Sequence, residues 1–115
     1  MSEVQKLRRR RKQILIELEQ LEEIRRGSMV NQYVVTKKKD GSKGKRGPYP
    51  LYSYKDKGKT ISKRLSDPQE AAIYERQIEG FRRFQQLTSE LLSIGERLSA
   101  LAVLDEEVKK TLKSN

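Results

Sequence analysis

Residues 49–70 read YPLYSYKDKGKTISKRLSDPQE, and this stretch decides the fold. Tyr49–Lys55 and Lys59–Leu65 are short runs rich in Tyr, Thr and Ile, parted by Asp56-Lys57-Gly58. That spacing predicts an antiparallel hairpin closed by a three-residue turn. In this register Lys55 faces Lys59, Ser53 faces Ile61 and Leu51 faces Lys63. Tyr49, Leu51, Ile61 and Leu65 then share a face suited to packing on a helix. Tyr52 and Tyr54 lie on the other face beside Thr60, Ser62 and Arg64. A slip of one residue would exchange the two faces. A helix start follows at once, with Asp67 as N-cap, Pro68 at the first helical position and Glu70 three residues after the cap.

Downstream, Tyr74, Ile78, Phe81, Phe84, Leu87, Leu91, Ile94, Leu98 and Leu101 recur at helical spacing and predict a long helix over 67–103. Residues 104–115 extend it or form a short third helix. Upstream, Val4, Leu7, Arg11, Ile14, Leu18, Leu21 and Arg25 alternate steps of three and four and predict a helix over 3–26, stopped by Gly27. Met29–Thr36 has strand character, and Lys37–Gly47 (KKKDGSKGKRG) reads as a loop. The expected fold over 1–115 is one α+β domain, mainly α. It is an antiparallel two-helix hairpin, coiled-coil-like, with a small two- or three-stranded antiparallel sheet inserted at its tip over 29–65. The first helix covers only the first half of the second. Leu91, Ile94, Leu98 and Leu101 are left bare, and a homodimer through them is expected. Glu22–Arg26 and Glu79–Arg83 have the spacing of surface pairs within a helix.

Of 115 residues, 26 are Lys or Arg and 16 are Asp or Glu, with neither Cys nor His. Without Cys there are no disulfides and no thiolate metal sites; without His the commonest general base and metal ligand are missing. Gly41-Ser42-Lys43-Gly44-Lys45 lacks the spacing of a phosphate-binding loop. An enzyme is not expected, nor a metal or other cofactor. No apolar run has the length of a membrane span, and no signal peptide is apparent, so a cytoplasmic protein is expected.

The charge is concentrated. Residues 1–12 hold six Lys/Arg against one acid, and residues 37–64 hold eleven against two. The segments 13–36 and 65–115 are each mildly acidic. Basic blocks of this kind meet polyanions. Lys37, Lys38, Lys39, Lys43, Lys45 and Arg46 on a Gly/Ser scaffold are candidate phosphate contacts, as are Lys55, Lys57, Lys59 and Lys63 of the hairpin. Arg8, Arg9, Arg10 and Arg11 form a second candidate set, although a solvated helix face would look the same. Tyr52, Tyr54 and Arg64, with Thr60 and Ser62, are candidates for more selective contact with bases. Ordinary strand composition explains each tyrosine taken singly. These residues imply a nucleic-acid-binding accessory protein, with DNA favoured over RNA. The competing expectation is a helical adaptor whose apolar seam recruits a protein, the basic surface being incidental.

The run from Ile24 to Phe84 carries Ile24-Arg25-Arg26-Gly27-Ser28-Met29-Val30, a basic loop, Gly47-Pro48-Tyr49, Leu51-Tyr52-Ser53-Tyr54, Gly58-Lys59-Thr60 and Ile78-Glu79-Gly80-Phe81-Arg82-Arg83-Phe84. It resembles an uncharacterised prokaryotic domain family met around transposons and other mobile elements. That resemblance implies a mobile-element association and a transposase or recombinase partner. Members typically carry loop cysteines and a His before the Gly-Pro-Tyr. This chain has Lys, Gly and Ser in the loop and Arg46 at the His position, so no zinc knuckle is implied. Leu51–Glu75 also resembles the arm-binding domain of phage-type tyrosine integrases, which lays a three-stranded sheet in the DNA major groove. That likeness implies a reading face of Tyr52, Tyr54, Thr60, Ser62 and Arg64.

Overall fold

The computed structural model describes residues 1–113. It contains helix α1 (Glu3–Gln20), strands β1 (Ser28–Lys37), β2 (Lys43–Asp56) and β3 (Lys59–Arg64), and helix α2 (Pro68–Lys113). The strands form one antiparallel sheet in the order β1-β2-β3. The fold is therefore α+β and mainly α, with the sheet inserted between two helices. The chain divides into two compact units. One comprises 1–22 with 82 onward, and the other comprises 23–81.

In the first unit α1 lies antiparallel against α2. Ser2 caps α1 reciprocally: its hydroxyl accepts from the Gln5 amide and the Gln5 side chain accepts from the Ser2 amide, each at 3.1 Å. Ile14, Leu87 and Ile94 are buried, and Leu7, Leu18, Leu21, Leu91 and Leu98 pack around them. Burial of each such side chain contributes roughly 1.5–3 kcal/mol. This corrects one expectation. Leu91, Ile94 and Leu98 do not form a bare seam for a second copy or an adaptor's partner, because α1 fills it. Leu101 is half-buried.

Three ion pairs fix the register of the helices. Arg97 donates to both carboxylate oxygens of Glu3 (2.6 and 3.1 Å), Arg10 grips Glu90 with two nitrogens, and Arg83 does the same to Glu17. Glu3, Arg10 and Glu17 are seven apart, as are Arg83, Glu90 and Arg97, and the signs alternate. A slip of one heptad would bring like charges together, so the ladder specifies one antiparallel register more than it adds stability. Arg83, expected to pair along its own helix, reaches Glu17 across the pair.

The arginine hydrogen bonds hold the Glu3, Glu17 and Glu90 carboxyls below their ordinary value. A depressed carboxyl contributes stability above its unfolded pKa, near 4.5, and that contribution is lost as pH falls through the lower folded value. The helical melting temperature is therefore expected to fall on acidification below about that pH. The triple variant Glu3→Gln/Glu17→Gln/Glu90→Gln should show a flatter dependence in circular-dichroism melts. Equal slopes for the two proteins would mean that the ladder carries no linkage.

The second unit begins with a strap. Residues 21–27 are not helical, which corrects the helix expected over 3–26. The reason is tertiary. The Arg25 amide donates to the Gln77 carbonyl (2.9 Å), its Nε to Gln77 Oε1 (2.7 Å), and its guanidinium lies 3.8 Å from the Tyr74 ring centre. Arg76 pairs with Glu23 at 3.0 Å, and the Glu23 carbonyl passes over Gly80 so closely that a Cβ there would meet it at 2.6 Å. Together these contacts outweigh the local helix signal of Leu21–Arg26.

The core of this unit is Tyr52, Leu65, Ala71 and Ile78, with Met29, Tyr54 and Tyr74 packed against it. Leu65 donates its amide to the Pro50 carbonyl, and the Asp67 side chain accepts from the Gln69 amide at 2.9 Å to open α2 at Pro68. The helix does not stop near 103 but runs on to Lys113; residues 114 and 115 of the expected extension lie outside the described residues.

Candidate nucleic-acid interface

The β2–β3 register differs by one residue from the expected one. The turn is the two-residue Lys57-Gly58, both at positive φ (49° and 81°), and Asp56 faces Lys59. Lys55 then faces Thr60, Ser53 faces Ser62, Tyr52 faces Lys63 and Leu51 faces Arg64. The slip exchanges the faces. Tyr52 is buried, donates its hydroxyl to the Arg26 carbonyl and meets Tyr54 and Tyr74 at 5.4 and 5.0 Å between ring centres. Tyr52 and Tyr54 thus belong to the core and are corrected out of the reading face. Lys63 shares their side and lies 3.7 Å from Glu70.

The opposite face gathers four of the other candidates, Lys55, Thr60, Ser62 and Arg64, all exposed. Residues facing each other across a ladder point the same way, so Lys55, Thr60, Ser53, Ser62, Leu51 and Arg64 share it with Gln32 and Tyr49. Arg64 stacks over the Tyr49 ring (4.6 Å to its centre) and donates to Gln32 Oε1 at 3.0 Å. The Ser53 and Ser62 hydroxyls are 2.9 Å apart. Among the described residues no carboxylate shares this face of the ladder. The sequence reading missed Gln32 and set Tyr49 against the core; alternation along β1 from Ser28 would have placed Gln32 had the register been known.

The basic segment is more ordered than the expected loop. Only Lys38–Ser42 form a turn, and Lys43–Gly47 are strand. A register shift between Gln32 and Val34 sets Tyr33 against Gly47 and Pro48, beyond which Val34–Lys37 pair with Arg46–Lys43. β3 pairs only with Leu51–Asp56. Past that point β1 and β2 continue as a two-stranded arm, roughly 20 Å long with its turn at about 3.3 Å per residue. Six Lys/Arg stand on residues 33–47 against Asp40 alone. Asp40 is occupied locally. Its carboxylate accepts from the Ser42 amide and hydroxyl, which close the turn and hold its pKa down. Lys37, Lys43 and Lys45 lie on one side with Tyr33 and Val35; Arg46 lies on the other with Val34 and Thr36. Val35 is 63% exposed and Tyr33 55%, so no core underlies the arm.

Arg8–Arg11 belong to the other unit. Arg10 is engaged by Glu90, Arg8 and Arg11 rim shallow clefts along α2, and Arg9 is exposed. Lys57 occupies the β2–β3 turn and Lys59 faces Asp56. Among the described residues no helix is long and apolar enough to cross a membrane, and no cluster of carboxylates could hold a metal ion.

A family model for a domain of unknown function (DUF6788) matches residues 4–75, more than half of the chain. No curated protein and no solved structure matches the chain.

Proposed function

The chain belongs to this family of unknown function, and from the geometry of its sheet we propose that it is a nucleic-acid-binding accessory protein acting on duplex DNA. One observation carries the reading: a two-stranded arm bearing six cations stands beyond the third strand with no core beneath it. A solvated loop has no need of this construction. A two-stranded ribbon is one of the few elements that fits the B-DNA major groove, about 12 Å wide, whereas the deep and narrow A-form RNA groove excludes it. The arm lysines contact phosphates. Arg64, oriented by Tyr49 and Gln32, is directed at base edges with Thr60 and Ser62 beside it. That docking mode parallels the integrase arm-binding sheet, with Thr60, Ser62 and Arg64 kept on the reading face and Tyr49 there in place of Tyr52 and Tyr54. An association with mobile elements, with a transposase or recombinase as protein partner, completes the reading.

The test is salt-titrated anisotropy against duplex DNA, single-stranded DNA and structured RNA, with random-sequence competitor. Duplex binding should be preferred, and log affinity should fall against log salt with a slope of about −5 if all six arm cations engage. At a selected site Arg64→Ala should cost about 1–3 kcal/mol while random-sequence affinity stays nearly constant. Weak binding with no preference among the three nucleic acids at physiological salt would sink the proposal. Unchanged selectivity in Arg64→Ala would remove Arg64 from the reading face.

A further inference from the structure

Arg64 differs from the arginines of the helical unit in what holds it. Arg10, Arg83 and Arg97 each donate from two nitrogens to a carboxylate, which neutralises the guanidinium where it lies. Arg64 is held by neutral groups, the Tyr49 ring at 4.6 Å and Gln32 Oε1 at 3.0 Å. Those two supports are half-buried, whereas the arginine is exposed. The ring holds the guanidinium from one side and the amide fixes its direction.

Donors and acceptors then decide what this constellation can meet. A guanidinium has two forked edges, Nε with Nη2 and Nη1 with Nη2, and each of the two Nη2 hydrogens belongs to one of them. A single bond from Nη2 to Gln32 therefore uses one edge and leaves the other complete. The same bond orients Gln32. Arginine offers no acceptor, so the amide oxygen faces it and the amide NH2 is turned away. Gln32 has thereby committed the oxygen with which a free glutamine accepts from adenine. The Arg64–Gln32 pair turns donors outward, and among the described residues no carboxylate shares this face of the ladder to accept from the amino group of cytosine. In the major groove guanine presents two acceptors side by side, O6 and N7. Adenine presents one acceptor and one donor, thymine an acceptor and a methyl group, and cytosine a donor.

We propose that Arg64 selects guanine, donating from its remaining forked edge to O6 and N7 of one base, with Gln32 and Tyr49 as its positioning residues. This rests on the duplex-DNA reading above and adds the identity of the base to it. Selection from a random duplex pool by the full chain, followed by competition binding at the selected site, tests it. The sites should share a guanine. Replacing that base by 7-deazaguanine removes N7 and should weaken binding about tenfold. Hypoxanthine, which keeps O6 and N7 and lacks only the minor-groove amine, should bind as guanine does. Arg64→Lys keeps the charge and loses the fork, so random-sequence affinity should hold while the preference for guanine over adenine vanishes. Gln32→Ala should lower that preference about threefold, the worth of one neutral hydrogen bond, with random-sequence affinity unchanged. Selected sites without a common guanine, a 7-deaza substitution without effect, or a guanine preference retained in Arg64→Lys each overturns the proposal and leaves duplex binding standing. An unchanged preference in Gln32→Ala overturns its positioning role. Failure to bind duplex DNA removes this proposal and the reading beneath it together.

Discussion

Replacing Gly27 by Ala is expected to cost more than about 3 kcal/mol and to melt the β unit well below the wild type. Gly27 sits at φ 121°, and an added Cβ would meet the Ser53 carbonyl oxygen at 2.5 Å and Tyr52 Cε2 at 2.7 Å. Neither neighbour can yield. The carbonyl is backbone of the central strand, and the ring is buried, with its hydroxyl tied to the Arg26 carbonyl one residue before the glycine. Gly41 provides the control. It also has positive φ (84°), but nothing lies within 4 Å of a Cβ there, so Gly41→Ala should cost only the backbone preference, about 1–2 kcal/mol. Denaturation followed by tyrosine fluorescence measures both. If the two substitutions cost the same, the close packing of Gly27 on Tyr52 plays no part in stability. A loss this large would approach the whole margin of a small unit.

Gly27 also shows what the sequence could and could not disclose. It was expected to stop the first helix, but that helix ends at Gln20, and the glycine instead lets the strap turn into β1 against Tyr52. Signals that act over three or four residues were readable. Asp67-Pro68 opened α2 as expected because capping is local chemistry, and the strands followed from Tyr, Val and Thr content. The hairpin register was not readable, since two- and three-residue turns around Lys57-Gly58 both satisfy local geometry. Apolar side chains also alternate on both faces: Leu51 on one, Tyr52 and Tyr54 on the other. Interactions distant in sequence broke that tie, chiefly Tyr52 with Arg26 and Tyr74. The seven-residue spacing of Glu3, Arg10 and Glu17, and of Arg83, Glu90 and Arg97, was in plain view. Its meaning as a ladder appears only once the helices are known to run antiparallel in one register. For the same reason Leu91, Ile94 and Leu98 looked bare: a stripe is bare or covered according to where the first helix lies. The clustering of cations over 37–46 was legible as composition, but the arm that bears them was not.

Neutralising the arm should abolish nucleic-acid binding while leaving the fold intact. The variant carries Ser at Lys37, Lys38, Lys39, Lys43, Lys45 and Arg46. At about 0.7 kcal/mol per exposed cation–phosphate pair, the six substitutions together amount to about 4 kcal/mol, a thousandfold in affinity. The salt slope should shrink in parallel by about 0.9 for each cation removed. Little else holds the arm in place. A lone two-stranded ribbon is marginal in water, and Tyr33, Val34 and Val35 are exposed there at 55%, 38% and 63%. An arm that is basic and partly apolar, with no core beneath it, is best explained by a surface that covers it on use. The comparison variant changes Arg8, Arg9 and Arg11 to Ser and leaves Arg10 to Glu90. If the arm is the interface, this second variant loses little affinity and the first loses nearly all. If the order reverses, the binding surface moves to the helical unit. If both bind as the wild type does, the positive charge is generic, and the sheet face with Arg64 must be given some other role.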